Sequence, residues 1–419
     1  MDKVKLKNLI IENQEFLREA DMYFRDYPIE KHANYVFTGS RRAGKSFFMY
    51  GIAKKILSDE ITQKHILFIN FEDERFLEFT AADFNLILEC YKELYNLKPI
   101  LFFDEIQNIT GWEKFVRRLA DKNFRVFVTG SNAKMLSNEI ATVLGGRFLI
   151  KEIQTLSFSE FLNFKGIKLK KNYEFSSQKH EIKRQLNDYL LYGGFPELIN
   201  YTNKREFLNN LYQKVLYGDI IARHDIKNKQ SIRLLVKKMA ESVNDETSFN
   251  RIKNLIKSTG ISIGTGTLID YFEYLKDGFL LFDLQNYATK FTERESKKKF
   301  YFSDNGILML FFTEDRSKLI ENLVYVELRR RFSENFYYYK QTYETDFYIP
   351  EKQLLIQVTL TMNEPETRKR EINSLQKTMQ KLDINKGYII TYDDNEETII
   401  NKNGKIHVLK LWKWLLDKK

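Results

Sequence analysis

The sequence predicts an α/β fold with a parallel sheet in its amino-terminal part. Four short apolar runs, typical of buried strands, each end at glycine or polar residues; they span residues 35–37, 65–71, 100–103 and 124–129. A glycine-rich loop at residues 39–46 follows the first run, and residues 47–57 carry apolar residues at helical spacing without a proline. Strands that alternate with helical segments are typical of parallel sheets covered by helices.

Length and composition predict a multidomain globular protein. The 419 residues exceed one ordinary hydrophobic core, so two or three domains are expected. No uninterrupted apolar stretch approaches the roughly 18 residues that a membrane helix needs, and the amino terminus resembles an amphipathic helix and not a secretion signal. The single cysteine, Cys90, excludes an intrachain disulfide. We therefore expect a cytoplasmic protein that does not contact a membrane.

The glycine-rich loop reads G-S-R-R-A-G-K-S, the complete pattern G-x-x-x-x-G-K-[ST]. Glycines allow backbone N–H groups to curl around a β-phosphate, and the helix N-terminus behind the loop favours negative charge. Lys45 can reach the β- and γ-phosphates, and the Ser46 hydroxyl can coordinate Mg²⁺. The alternative is a structural glycine-rich turn. We therefore expect a site for ATP and Mg²⁺ at this loop. Its residues are Gly39, Ser40, Arg41, Arg42, Ala43, Gly44, Lys45, Ser46 and Phe47.

Two carboxylates, Asp104 and Glu105, close the apolar run at residues 100–103. An open α/β sheet binds its ligands at the carboxyl ends of its strands, so these acids are expected near the glycine-rich loop. Asp104 would hold Mg²⁺ directly or through water, and Glu105 would polarise the attacking water. The pair therefore predicts an ATPase that forms ADP and phosphate.

Two further polar segments are candidates for contacting the γ-phosphate. Ser131 and Asn132 follow the run at residues 124–129, although the alternative is simple turn chemistry, which is common for Gly-Ser-Asn. Arg147 follows two glycines, and its guanidinium could stabilise charge on its own nucleotide or on a neighbour's. Alternatively, Arg147 pairs with a carboxylate. A role on a neighbour's nucleotide would require a homo-oligomer.

Five motifs together resemble the successive signatures of a prokaryotic ATPase family. They lie at residues 103–107, 111–112, 129–132, 144–147 and 156–162. Members of that family carry an AAA-like P-loop domain followed by a C-terminal region long catalogued as a domain of unknown function. The resemblance implies the AAA-like core and the roles given above to the loop, the two carboxylates and Arg147. It implies no defined biological substrate.

The middle of the chain is similar to later segments of the same family. Residues 192–197 (Y-G-G-F-P-E) resemble its hinge, since glycine permits unusual backbone angles and proline ends a helix. Residues 251–257 and 267–275 are helical stretches, and residues 279–282 resemble a strand. This order fits a winged helix-turn-helix, which the family resemblance also implies. Some winged helices place a helix in the DNA major groove, whereas others mediate protein contacts.

The chain from residue 321 onward resembles the restriction-endonuclease-like fold, whose metal site uses a helical Glu, a strand Asp and a following Glu-x-Lys. Glu321, or Glu327, and Asp346 match the first two positions. Gln357 and Thr359 stand where the acid and the lysine should be, and a neutral Gln is a weaker Mg²⁺ ligand than a carboxylate. We therefore expect a degenerate nuclease fold that serves as a structural or DNA-contacting module.

The net charge of +10, from 67 Lys and Arg against 57 Asp and Glu, fits either a polyanionic partner or solvated lysines. Basic clusters at residues 165–171, 297–299 and 329–331 make DNA one candidate partner. Three functions fit the sequence. The first, which we favour for its nucleotide half, is an ATP-driven switch or remodeller acting on DNA. The others are an ATP-dependent metal nuclease and a nucleotide-gated module that binds a protein.

The predicted organisation has five segments. They are an amphipathic helix at residues 1–25, an AAA-like ATPase core at 26–165, a helical connector at 166–230, a winged-helix-like domain at 231–310 and a degenerate restriction-endonuclease-like α/β domain at 311–419.

Overall fold

The chain forms two compact units, Met1–Gln154 and Thr155–Lys419. The computed structural model describes residues 2–20, 24–25, 27–132, 135, 138–290, 296–311, 315–402 and 404–417. Within these residues no helix combines the length and the apolar character that are needed to span a bilayer.

The first unit alternates strands with helices. In chain order these are α1 (Lys3–Glu19), β1 (Asn34–Thr38), α2 (Lys45–Ile56), β2 (Ile66–Asn70), α3 (Phe84–Tyr95), β3 (Ile100–Asp104), α4 (Trp112–Asp121), β4 (Val126–Gly130), α5 (Asn138–Leu144) and β5 (Phe148–Glu152).

The strands of this unit form one parallel sheet in the order β2-β3-β4-β1-β5. The prediction of an α/β fold with a parallel sheet is confirmed, as are the strands predicted from the four apolar runs and the helix predicted at residues 47–57. A fifth strand, β5, extends the sheet beyond β1 and has no counterpart among the predicted strands. Because β3, β4 and β1 are neighbours, the polar residues at their carboxyl ends meet at one edge of the sheet.

Aromatic rings stack across one face of this sheet. The register pairs Phe68 of β2 with Phe102 of β3, and Phe102 with Phe127 of β4. Their ring planes lie within 10° of parallel, with centroids 5.9 and 4.7 Å apart. Tyr35 of β1 continues the stack at 5.9 Å from Phe127, and Tyr50 of α2 stacks on Phe68 at 3.9 Å. In-register parallel strands bring these rings together, and aromatic pairs contribute beyond their buried area, so the ladder fixes the strand order on which the site depends.

The first helix covers the edge of the sheet. Gln14 donates from Nε2 to the Ile66 carbonyl at 2.8 Å, and Asn13 donates from Nδ2 to the Phe68 carbonyl at 3.1 Å. Both carbonyls belong to the edge strand β2, whose outward backbone groups would otherwise be available to another strand. The helix predicted near the amino terminus is therefore an integral part of the first unit.

The second unit is mostly helical up to residue 277 and then mixed. Its elements are α6 (Phe158–Phe164), α7 (Gln178–Tyr192), α8 (Lys204–Gln213), a π-helical continuation (Lys214–Ile221), α9 (Lys229–Glu241), α10 (Phe249–Lys257), α11 (Thr265–Asp277), β6 (Leu281–Leu284), β7 (Lys299–Phe302), α12 (Asn305–Leu308), α13 (Arg316–Phe332), β8 (Tyr337–Lys340), β9 (Glu344–Ile349), β10 (Leu354–Thr359), α14 (Pro365–Leu382), β11 (Lys386–Thr391), β12 (Glu397–Asn401), β13 (Gly404–Lys410) and α15 (Leu411–Leu416).

Two sheets organise this unit. Strands β6 and β7 form an antiparallel hairpin. A mixed sheet of six strands has the order β12-β13-β11-β10-β9-β8, with parallel pairs only on the two sides of β11. The helices predicted at residues 251–257 and 267–275, and the strands predicted near residues 336, 344 and 354, are confirmed.

Candidate active site

The glycine-rich loop joins β1 to α2 through two glycines with positive φ. Gly39 has φ +148°, and a Cβ atom added there would lie 2.1 Å from the Ile153 carbonyl oxygen. Gly44 has φ 91° in the left-handed region and is the residue before the first turn of α2. A side chain fits at neither position without strain, so backbone N–H groups line the loop immediately before the positive end of the helix.

Lys45 lies inside this loop with only 4% of its surface exposed. Its Nζ donates to the carbonyl oxygens of Gly39 and Ser40, at 3.2 and 3.1 Å, and to the Ser131 hydroxyl at 2.9 Å. The same Nζ is 3.5 Å from Oε1 of Glu105. The loop and the carboxyl ends of β3 and β4 therefore converge on one ammonium group.

The two predicted carboxylates end β3 side by side and are held by the neighbouring strand. The Thr129 hydroxyl donates to Asp104 and accepts the backbone N–H of Glu105 at 2.9 Å. Ser131 donates to Glu105 at 2.6 Å, and Gln107 donates to it from Nε2, also at 2.6 Å. These contacts fix both carboxylates with side chains from a second strand and a following turn.

Glu105 adopts φ 50°, in the left-handed region that non-glycine residues rarely occupy. Such strain costs of order 1–3 kcal/mol and clusters at functional sites. The backbone turn points the carboxylate of Glu105 toward Lys45 and Ser131, whereas the preceding Asp104 meets Thr129. The strained turn thus directs the carboxylates of two consecutive residues toward different partners.

The two acids also differ in electrostatics. Burial, together with the charge of Glu105, raises the pKa of Asp104 to about 6. Burial also acts to raise the pKa of Glu105, but the charge of Lys45 and the hydrogen bonds from Ser131 and Gln107 outweigh it and lower that pKa below its usual range. Glu105 is therefore ionised at neutral pH, whereas the pKa of Asp104 lies closer to neutral pH than that of an ordinary aspartate.

The residues present fit a hard divalent cation. The Ser46 hydroxyl, in the first turn of α2, lies near the Asp104 carboxylate and partly offsets the rise of its pKa. Mg²⁺ is usually held by one or two carboxylates plus hydroxyl, water and phosphate oxygens, and this oxygen pair matches that preference. A metal bound by Asp104 would also relieve its unfavourable burial.

Thr129 and Gln107 are site residues that were not predicted. Thr129 is the penultimate residue of β4, and its role follows only from the adjacency of β3 and β4 in the sheet. Gln107 has a buried Oε1 without a hydrogen-bond partner, close to Gly130, where an added Cβ would be 2.5 Å away. The signal that could have found both residues is their position in the motifs at residues 103–107 and 129–132.

Three other predicted residues of this site are a buried asparagine, a paired arginine and an exposed phenylalanine. Asn132 is buried, and its carbonyl accepts the Thr38 hydroxyl at 3.2 Å, which holds β4 beside the loop. Arg41 pairs with Glu72 at 2.8 Å on the outer side of the loop. Phe47 is 58% exposed.

Arg147 lies at the opposite edge of the sheet from the loop. It precedes β5, its carbonyl accepts the side-chain amide of Asn34 at the start of β1, and its guanidinium pairs with Asp121. The loop follows the other end of β1. The length of a strand therefore separates Arg147 from the loop of its own chain, and the carboxylate pairing that was its alternative is present.

The residues of the predicted nuclease site divide into two groups in the second unit. Glu321 of α13 and Asp346 of β9 approach the same group, the Nζ of Lys299, at 3.4 and 3.3 Å. Glu327 is elsewhere, paired with Arg330 and Arg331, so the choice between the two glutamates falls on Glu321.

The other two positions of that site carry no charge. Gln357, on β10, is buried, and its Oε1 lacks a hydrogen-bond partner. Thr359 donates to the Thr361 carbonyl at 3.3 Å. A positive charge is nevertheless present in the cluster, since Lys299 of β7 supplies it.

Comparisons with known proteins match both units. A family model described as an AAA domain matches residues 31–162, and a model described as a domain of unknown function (DUF8612) matches residues 183–317. A structure of the Walker-type ATPase of Pyrococcus abyssi is 14% identical, with a TM-score of 0.42, covering 74% of this chain and 95% of the other.

Two relatives match over most of their length. An uncharacterised protein of Haemophilus influenzae is 27% identical over 334 residues, covering 78% of this chain and 80% of its own. An uncharacterised protein of Methanocaldococcus jannaschii is 38% identical over 430 residues, covering 99% of this chain and 96% of its own. Because this match extends over nearly the whole of both chains, and its amino-terminal part contains the AAA domain, the chain belongs with the Methanocaldococcus jannaschii protein to one AAA-like ATPase family.

Proposed function

We propose that the first unit binds ATP with Mg²⁺ and hydrolyses it to ADP and phosphate. The observation that carries this proposal is the convergence of three strand ends on Lys45 Nζ: the loop after β1, Glu105 after β3 and the Ser131 hydroxyl after β4 all contact it. Phosphoryl transfer needs positioned charges more than covalent chemistry, and this arrangement supplies them.

The roles of the side chains follow from their contacts. The loop amides and Lys45 bind the β- and γ-phosphates. Ser46 and Asp104 would hold Mg²⁺, which would supply positive charge to the phosphate oxygens. Glu105, ionised and fixed by Ser131 and Gln107, orients and polarises the attacking water. Thr129 holds the turn between the two acids by donating to the Asp104 carboxylate and accepting the backbone N–H of Glu105.

Steady-state ATP turnover tests this proposal. We expect Mg²⁺-dependent phosphate release by the wild type, and release near background for Lys45→Ala. Lys64→Ala is a matched control, because Lys64 is an exposed lysine in the turn before β2. Equal turnover by the wild type and Lys45→Ala would refute the assignment.

We propose that part of the second unit is a winged-helix-like module. Three helices, α9 to α11, are followed by the hairpin β6–β7, and Thr247, between α9 and α10, forms an antiparallel bridge with Lys298 at the start of the second hairpin strand. This order of helices, short bridge and hairpin supports the module predicted for residues 231–310. The six-stranded sheet with α13 and α14 likewise supports the restriction-endonuclease-like segment.

The charges of this module favour a protein partner over DNA as the target of the switch. Helix α11, which would be the groove-reading helix, exposes Ile269, Asp270 and Glu273. Carboxylates there would repel the phosphate backbone, whose neutralisation by Lys and Arg provides most DNA affinity.

Two of the three basic clusters are also partly neutralised within the chain. Lys298 pairs with Asp283 at 2.9 Å, and Lys299 lies among carboxylates. Arg330 and Arg331 pair with Glu327. ATP turnover with and without duplex DNA, at low and high salt, distinguishes the candidates: we expect no stimulation, whereas a salt-sensitive rise would favour DNA.

A homo-oligomer in which Arg147 reaches a neighbour's nucleotide is a separate proposal. Size determination in the presence of ATP and of ADP tests it.

A further inference from the structure

Lys299 is a buried lysine held by three carboxylates. Its side chain is 2% exposed, and its Nζ lies 2.9 Å from Glu344, 3.3 Å from Asp346 and 3.4 Å from Glu321. The three acids come from β9 and α13, whereas Lys299 comes from β7. One ammonium group therefore links the hairpin, a helix and the six-stranded sheet.

Other groups of the chain also donate to the carboxylates of this cluster. The Tyr301 hydroxyl donates to Glu321 at 2.9 Å, and the backbone N–H of Val358 donates to Asp346 at 2.9 Å. Lys340 pairs with Glu344 at 2.8 Å. A divalent cation requires several free oxygen ligands at about 2.0–2.6 Å, and here five of the six carboxylate oxygens, all but Oε2 of Glu321, already face protein donors.

The charge balance of the cluster suits a lysine. Burial acts against the charge of Lys299, but the three acids raise its pKa well above the usual value, so the ammonium persists at neutral pH. Burial and the charge of Asp346 raise the pKa of Glu321, which lowers the negative charge that must be balanced. Gln357, on the strand β10 that pairs with the strand of Asp346, adds no charge. Among the described residues, no group of three or more His, Cys, Asp or Glu side chains is arranged to hold a metal ion.

We propose that Lys299 is the resident cation of this cluster, so that Glu321, Glu344 and Asp346 form an internal ion lock between the hairpin and the six-stranded sheet and bind no divalent metal. The carboxylates become a divalent metal site only when the ammonium is removed. This inference concerns the second unit and is independent of ATP hydrolysis.

The test is calorimetric titration of the nucleotide-free full chain with Mn²⁺. We expect the wild type and Asp346→Asn to bind the same number of Mn²⁺ ions, because Asp346 holds no metal. Lys299→Met should gain one Mn²⁺ per chain and lose it again in Lys299→Met/Asp346→Asn. Lys298→Met is the matched control, since it removes the adjacent buried lysine, which pairs with Asp283, and should gain no site.

Each outcome decides the proposal. Loss of a Mn²⁺ ion from the wild type on Asp346→Asn would overturn it, as would a folded Lys299→Met that gains none. If Lys299→Met unfolds, recovery of its circular dichroism on adding Mn²⁺ supports the proposal. If Mn²⁺ does not restore the fold, the comparison of the wild type with Asp346→Asn still decides between the lock and a metal site.

Discussion

Lys45, at the end of the glycine-rich loop, and Glu105, directly after β3, lie side by side, with 3.5 Å between Nζ and Oε1. The Ser131 hydroxyl joins them, accepting from the lysine and donating to the carboxylate. A phosphate placed against Lys45 would compete with Glu105 for the same ammonium. The site therefore couples the group that binds phosphate to the group that we propose polarises water.

Glu105→Gln tests this coupling. The amide removes the charge that polarises water, and it also removes the carboxylate that competes with phosphate for Lys45. We expect turnover to fall by about 100-fold or more while ATP affinity stays at least as high as in the wild type. Single-turnover phosphate release and fluorescent-nucleotide titration measure the two quantities, and a parallel loss of both would contradict this division of roles.

Thr129→Val keeps the side-chain shape but removes the hydroxyl that donates to Asp104 and accepts the backbone N–H of Glu105. Because a buried donor and a buried acceptor lose their partner, we expect turnover to fall by about 10- to 100-fold with the fold preserved. Thr129→Ser keeps a hydroxyl and should retain most of the activity. Equal turnover in the valine and serine variants would show that the hydroxyl has no role.

Asp104→Asn should raise stability in a pH-dependent way. The folded pKa of Asp104, about 6, lies above its ordinary value of 3.8. The folded state therefore binds the proton more tightly, so the stability contribution of this group is complete below pH 4 and is lost as pH rises through 6. A neutral amide avoids that loss, and we expect it to stabilise the apo protein by up to about 3 kcal/mol at pH 8.

Denaturant unfolding of the wild type and Asp104→Asn at pH 4 and pH 8 measures this effect. The stability difference between the two proteins should shrink toward pH 4. A difference independent of pH, or one that grows as pH falls, would show that Asp104 is not desolvated as its burial indicates.

Gly193→Ala tests the packing of the turn after α7 against Asp304 within the second unit. Gly193 has φ 74° and ψ −161°, a region that is essentially restricted to glycine. An added Cβ would lie 1.6 Å from Oδ1 of Asp304, which also accepts the backbone N–H of Gly306 at 2.8 Å. We expect the free energy of unfolding to fall by about 3 kcal/mol or more.

The matched control for this change is Gly260→Ala. Gly260 also has a positive φ, 88°, but an added Cβ there meets nothing within 4 Å. It should therefore cost only the backbone strain, about 1–2 kcal/mol. Equal losses of stability for the two variants would show that the packing against Asp304 is not what makes Gly193 necessary.

The sequence predicts those features that depend on local order along the chain. The glycine-rich loop, α2 and the acids at the end of β3 are each encoded within a dozen residues, so the residue types and their spacing identify each feature. Thr129 and Arg147 depend instead on which strands are neighbours and on which edge of the sheet each residue lies. That information comes from packing, and for this reason Thr129 was missed and the partner of Arg147 stayed open among its own nucleotide, a neighbour's nucleotide and a carboxylate.

The environment of Lys299 could be predicted from the sequence even less than the partners of Thr129 and Arg147. In the sequence it belongs to a run of three lysines and has the pattern of a solvated or DNA-binding cluster. Its partners are 22 to 47 residues away, and the choice between Glu321 and Glu327 depends on which face of α13 packs against the sheet. Only the assembled unit shows that this lysine is buried among acids.

The most direct test of the central claim, that the loop at Lys45 binds a magnesium–triphosphate, is calorimetric titration of the full chain with Mg²⁺–ATP. We predict one ATP per chain for the wild type and an affinity at least about 100-fold weaker for folded Lys45→Ala. A folded wild-type protein that produces no binding heat at several temperatures, or a Lys45→Ala variant that binds as tightly as the wild type, would contradict the account.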